Sequence, residues 1–192
     1  MKYDPQRHRR RSIRLKGYDY SQPGAYFVTV CTHHLACLFG DVVDGEMELS
    51  DVGQIVQACW DDLSNHYQHV RLDAFVIMPN HVHGIIVLMD YDNIDNVGAG
   101  FKPAPTETPA PVKRHGLPEI VRAFKTFSSR HINQWRGTPG TPVWQRNYYE
   151  HIIRDSNEFN HIRQYTTYNA ARWLEDENHP ARIGRQRRSI SL

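Results

Sequence analysis

Cysteine is scarce in this chain, with only Cys31, Cys37 and Cys59. An odd number with no close metal-ligand pairing argues against a disulfide framework and for a reduced thiol state, hence a cytoplasmic location. Long apolar runs are missing too. None approaches the roughly 20 residues that span a bilayer. The basic N-terminus has no apolar segment behind it, so neither a membrane partner nor a secretory signal is expected. The sequence has none of the glycine-rich loops that cradle nucleotide phosphates, and no nucleotide cofactor is expected. Solenoid-type repeats are also absent.

What is present is a chain of 192 residues, 40% hydrophobic, enough for one domain with tails. Its net charge of +2 hides an asymmetry. Residues 1–16 carry seven Lys/Arg against Asp4, and residues 181–192 carry four arginines and no acid. The rest holds 12 basic and 20 acidic side chains. An acidic body with basic ends points to a polyanion partner. We therefore read a basic arm over 1–16, one domain over 17–176 and a basic tail over 177–192. A monomer is favoured over a dimer.

The stretch that organises the chain is Phe75-Val-Ile-Met-Pro-Asn-His-Val-His-Gly-Ile-Ile-Val-Leu-Met89. Two runs rich in β-branched residues flank Pro79-Asn80 and read as antiparallel strands joined by a tight turn. Side chains two apart in a strand share a face. His81 and His83 then present two imidazoles side by side, a pair able to hold a divalent metal. For such a motif alone, two solvent-facing or polar-packed histidines are the commoner outcome.

Before this stretch, residues 25–32 read as a strand, and 42–49 as a hairpin turning at Asp44-Gly45. Ser50 caps a helix ending near His66, with Ile55, Val56, Cys59, Trp60 and Leu63 toward a core. After it, four prolines make 90–112 a mobile surface loop. A second helix runs from about Leu117 to Trp135. It should send Ile120, Phe124, Phe127, Ile132 and Trp135 inward and expose Arg122, Lys125 and Arg130. Residues 143–153 read as a strand or extended segment. Asp155 or Ser156 caps a last helix to roughly Leu174. Its packing stripe is Phe159, Ile162, Thr166, Ala170 and Trp173, and a polar stripe of His161, Tyr165 and Asn169 lies beside it. The fold class predicted is α+β: a ferredoxin-like βαββαβ antiparallel sheet with an appended C-terminal helix.

Met-Pro-Asn followed by His81-Val82-His83, then Trp144-Gln145, Glu150-His151-Ile-Ile-Arg154 and Tyr165-x-x-x-Asn169, resembles the HUH single-tyrosine transposases. The closer likeness is to their REP-associated tyrosine transposase branch, and it covers roughly residues 12 to 174. The resemblance implies that His81 and His83 bind metal, that Tyr165 is the nucleophile, and that Asn169 is a third, amide-bearing ligand. It implies strand cleavage and rejoining on single-stranded or hairpin DNA of the repetitive palindrome kind. One departure is Ala170, where such helices often have proline; alanine would let the helix continue.

The chemistry is coherent on its own. A tyrosine hydroxyl with a pKa near 10 is a poor nucleophile at neutral pH. A cation on the scissile phosphate makes its attack feasible, and the donor set suits Mg²⁺ or Mn²⁺. Arg9, Arg10, Arg11, Arg14 and Lys16 of the arm, with Arg122, Lys125 and Arg130 of the second helix, are the expected phosphate contacts. Two other readings stay open. One is a non-catalytic nucleic-acid-binding protein on this fold. The other is a metal-dependent phosphodiesterase in which His151 or Glu150 joins the histidines and activates water.

Overall fold

The structure, a computed structural model, describes residues 15–90 and 115–182. The 90–112 loop, but for Asp90, and arm residues Arg9, Arg10, Arg11 and Arg14 lie outside that range. Strand β1 (Gly24–Cys31) is followed by a hairpin of β2 (Gly40–Val43) and β3 (Glu46–Leu49). That hairpin turns where expected, at Asp44 and Gly45, both with positive φ, as a two-residue loop requires. Helix α1 (Asp51–Asp61) starts at Ser50, whose hydroxyl accepts from the Gly53 N–H at 3.2 Å. One further turn, α2 (Leu63–His66), completes the helical stretch.

Strands β4 (Val70–Met78) and β5 (His81–Leu88) flank Pro79-Asn80 as an antiparallel pair. Helix α3 (Leu117–Arg136), strand β6 (Tyr149–Ile153) and helix α4 (Ser156–Thr167) follow. The four long strands form one sheet in the order β4-β5-β1-β6. Every neighbour is antiparallel. With α1 and α3 as the crossovers, this is the βαββαβ arrangement predicted, with the β2–β3 hairpin inserted after β1.

Strand alternation divides the core. Tyr26, Val28 and Val30 of β1 and Val82, Ile86 and Leu88 of β5 join the large cluster with Val56, Trp60, Leu117, Ile120 and Phe124 from α1 and α3. Phe27, Ile85 and Ile153 face the other way and meet Phe159 and Ile162 of α4. Gly84 belongs to the first face. The Trp60 ring, stacked on Phe75 at 4.2 Å, lies so close that a Cβ at 84 would fall 2.4 Å from it.

Two expectations about the helices and one about the length of a strand are corrected. Phe127 and Trp135 are 49% and 56% exposed rather than inward. The buried line of α3 runs through Leu117, Ile120, Val121, Phe124, Ser128 and Ile132. That leaves Phe127 on its shoulder against the His66 ring, and Trp135 in the last turn, C-terminal to the buried line. Second, residues 143–153 are not one strand. Trp144 makes a single bridge to Thr32, and β6 begins only at Tyr149.

Third, α4 stops at Thr167 and a 3₁₀ turn spans Ala170–Glu175, so Ala170 does not prolong the helix. Thr166 and Thr167 bond back to the carbonyls of Ile162 and Arg163, which loosens a helix end. The tighter turn then buries Asn169 and Trp173.

Candidate active site

The histidines stand on β5 beside β1, with His83 paired to Thr29 and His81 to Cys31. Both are buried, His81 completely. The environment fixes the tautomer of His81. Asn80 directs its amide N–H groups to the carbonyls of Leu35 and Asn178. Its oxygen therefore faces His81, whose Nδ1 donates to it at 2.8 Å. That places the proton on Nδ1 and leaves a lone pair on Nε2. His83 Nδ1 has the Thr29 hydroxyl at 2.8 Å, a partner that can donate or accept. The two Nε2 atoms face each other at 3.0 Å. Burial holds both rings neutral: His81 is lowered to about 4 despite the Asp176 carboxylate, and His83 falls well below the ordinary histidine range.

Asp176 was not anticipated from the sequence. After α4 ends, the 3₁₀ turn brings its Oδ2 to 3.7 Å from His81 Nε2. With His81 neutral this is no ion pair but two lone pairs pointing at a common space. His81, His83 and Asp176 offer ligand atoms within 4.8 Å of one another and could hold a metal ion. The fit is chemical as well as spatial. A 3.0 Å edge suits neighbouring ligands of one six-coordinate ion with bonds of about 2.1 Å. Rotation of the Thr29 hydroxyl frees the His83 lone pair without disturbing the fold. Trp173 covers the group from outside, its ring 6.0 Å from His81.

Tyr165, in the last turn of α4, lies edge-on to His83 at 5.5 Å and to Phe27 at 6.2 Å. It is 42% exposed. Its phenol is raised above the ordinary tyrosine value by burial and by the Asp176 carboxylate; a hydrogen bond with Asn169 pulls the other way, and Glu177 adds a smaller upward push. Asn169 is buried beside it, and its Oδ1 has no hydrogen-bond partner. A cavity of about 450 Å³ opens here, lined by Thr29, His83, Tyr149 and Tyr165 and closed on one side by Glu177 and Asn178.

The other predicted residues scatter. Lys16, Arg122 and Arg130 are exposed. Lys125 is not: its ammonium donates to the carbonyls of Gln145, Arg146 and Asn147 at 2.6, 3.0 and 3.4 Å. It fastens the 145–147 turn instead of facing solvent. His151 is committed to Glu158 at 2.7 Å. Glu150 pairs with Val28 in register and so faces the α1/α3 side of the sheet, away from the histidines. Neither is placed to activate water at this site.

Comparison with known proteins places the chain. No family model matches it. A Haemophilus influenzae protein, described as uncharacterized, is 38% identical over 178 residues, which is 92% of this chain and 96% of that protein. The chain belongs to that protein's family. Among solved structures, that of a REP-associated tyrosine transposase bound to a REP hairpin matches with a TM-score of 0.53. The match spans 81% of this chain and 72% of that one, at 16% identity. Such a likeness is one of fold: the family has the transposase-like α+β fold.

Proposed function

We propose that this protein cleaves and rejoins a DNA strand, with the Tyr165 hydroxyl as nucleophile. The substrate is single-stranded or hairpin DNA, of the repetitive palindrome type. Mg²⁺ or Mn²⁺ would be held by His81 and His83, with Asn169 and Asp176 offering oxygens. The observation that carries this reading is the placement of Tyr165, hydrogen-bonded to Asn169, beside His83 in the lining of one cavity, His83 being one of three residues with converging metal-ligand atoms. The fold neighbour, bound to a hairpin in its structure, supports DNA as substrate.

Each residue has a distinct task. Asn80 sets the His81 tautomer, and the Thr29 hydroxyl serves His83 Nδ1 as donor or acceptor. Asn169 donates to the phenol oxygen and favours its ionised form. The surrounding burial and Asp176 oppose ionisation, so at neutral pH the phenol keeps its proton until substrate arrives. A divalent ion held there would supply charge neutralisation at the scissile phosphate. Tyr165 Oη then bonds to phosphorus as the P–O3′ bond breaks. The phenolic proton passes to solvent and the 3′-oxygen takes one up. The 5′-phosphate of the downstream strand is left joined to the tyrosine, and the upstream strand ends in a free 3′-hydroxyl. Attack by that hydroxyl reverses the step, so strand joining needs no nucleotide cofactor.

The test is incubation of labelled hairpin DNA with protein and Mn²⁺, read on a denaturing gel. A slow-migrating covalent adduct is expected, absent in Tyr165→Phe, which should fold and bind DNA nearly as well. Adduct persisting in that variant would move the role to Tyr168, which is 63% exposed. No adduct with the unaltered protein would favour the non-catalytic DNA-binding reading. The basic arm is tested separately. Deleting residues 1–11 should lower affinity and reduce the salt slope by roughly 0.7 per lost phosphate contact.

A further inference from the structure

A second, larger cavity of about 830 Å³ lies beside the first, between α3 and the 140–148 segment. The two share Gln145 and Tyr148 in their linings, so the active-site cavity and this groove adjoin across that stretch. The ridge between them is the 145–147 turn, held by the Lys125 ammonium on three carbonyls. Burial lowers the Lys125 pKa, yet the lysine spends its donors on backbone and not on a ligand. The fold has thus stabilised this turn at some electrostatic cost.

The groove's chemistry is specific. Arg122 and Arg146 both line it and are exposed. Arg146 has no ion pair among the described residues, and Arg122 only a loose one, 3.7 Å from Glu119. Glu119 is the one acid of the lining, and His115 lies 2.8 Å from it. Thr126, Ser129, Thr141 and Gln145 supply neutral donors and acceptors. Thr126 falls midway between Arg122 and Arg130 at four-residue spacing, on one stripe of α3. Two separated guanidiniums, small hydroxyls and an adjoining aromatic path of Tyr148 and Tyr149 match a flexible strand of nucleotides. They do not match a compact anion, which would want the cations convergent, or an apolar peptide.

We infer that the groove between α3 and residues 140–148 is a channel for unpaired DNA, carrying the strand that leads to or from the phosphate at Tyr165. This rests on the strand-cleavage reading above but assigns a site that reading does not need. Arg122 and Arg146 contact phosphates in it, and Tyr148 marks the crossing point between the two cavities.

The test uses the full chain in EDTA, so that binding is read without cleavage. Labelled hairpins carry no tail or a tail of about four or about eight nucleotides, on either side of the stem; an abasic tail of the same charge is a further arm. For the unaltered protein, a tail on one side should tighten binding about tenfold or more and steepen the salt slope. In the Arg122→Ser/Arg146→Ser double variant the slope should shrink by roughly 1.4, two contacts at about 0.7 each. Thr126→Trp, a filling substitution at an exposed helical position, should remove the tail's gain while leaving the tailless hairpin bound as before. Loss of gain with the abasic tail shows stacking; retention shows phosphate contact alone, and both place the strand in the groove. Equal tail gains in all three proteins, or equal loss for tailless hairpins, would overturn the inference. So would a tail that gains nothing. Adduct formation with Mn²⁺ on the same DNA decides the cleavage reading independently.

Discussion

On one side of the sheet, Tyr26, Val28, Val30, Val82 and Ile86 meet Trp60, Phe124 and Ile120, all essentially sealed from water. On the other side, the sheet supplies a smaller buried apolar set, Phe27, Ile85 and Ile153, with Met78 opposite His81. The buried polar positions there are Thr29, His81 and His83. Val82 and Gly84 therefore belong to a packed core while the histidines between and beside them belong to a polar site. The period of two in a strand makes this division free of any sequence insertion. The difference teaches that the face holding the candidate site is the one that gave up apolar packing. Its covering helix α4 rests on a smaller core and is tied down by polar links, including a two-pronged ion pair from Arg163 to Asp73 on β4.

If that contrast is real, substitutions on the two faces should separate stability from chemistry. The largest effect belongs to the sealed side. Trp60→Ala should cost about 3–5 kcal/mol, a large share of the roughly 5–15 kcal/mol typical of a domain. Gly84→Val should be comparably harmful, because its Cβ meets the Trp60 ring. Denaturant unfolding measures both. Where either variant is folded, adduct formation should be retained. Loss of chemistry at full foldedness would mean the faces are not independent.

The next effect lies on the polar face. Mn²⁺ at about 100 times its dissociation constant should stabilise the protein by about 2.7 kcal/mol. That increment should vanish in the His81→Ala/His83→Ala double variant. Asp176→Asn, which keeps size and removes charge, should shrink it and leave it measurable. Thermal unfolding with and without Mn²⁺ reads all three. An Asp176→Asn protein with an unchanged increment would remove Asp176 from the ligand set and leave Asn169 as the oxygen donor.

The same contrast explains what could be read in advance. Strand alternation around His81 and His83, the Asp44-Gly45 turn and the Ser50 cap are local patterns, and local patterns survive in the fold. The failures are tertiary. Asp176 sits in the run Leu174-Glu-Asp-Glu-Asn178, where nothing distinguishes it from its acidic neighbours. Only the kink after Thr167 delivers it to His81. Lys125 lies on an exposed-looking stripe of α3, but the 145–147 turn folds back over it. Phe127 and Trp135 obey helical spacing, yet the buried line of α3 passes beside the one and ends before the other. Periodicity gives a face and says nothing about where its partner stops.

The smallest effect concerns how α4 is held on the thin side. Arg163 donates from Nε and Nη2 to the two Asp73 oxygens at 2.7 and 2.6 Å. Asp73 lies within the register shift of β4 between Leu72 and Phe75, and its Oδ1 also accepts from the Ala74 N–H at 2.8 Å. The Arg163 bond holds the Asp73 carboxyl below the ordinary carboxylate value, with the Ala74 N–H adding to it against desolvation. A depressed folded value means the unfolded chain binds the proton more readily. The pair's stabilisation is therefore complete above the ordinary value, near 4, and is lost as pH falls through the lower folded value. Arg163 is half exposed, so screening by solvent limits the contribution to a small amount. Arg163→Gln should lower stability by that amount at pH 7 and flatten the acid limb of the stability curve below about pH 4. Because the helix carries Tyr165 two residues further on, adduct formation should slow in step with any loss of α4 order. Amide exchange along Ser156–Thr167 reads that order directly. Unchanged exchange in α4 together with an unchanged acid limb would show that apolar packing from Phe159 and Ile162 alone holds the helix, and the thin face would be less dependent on polar ties than the comparison of the two faces implies.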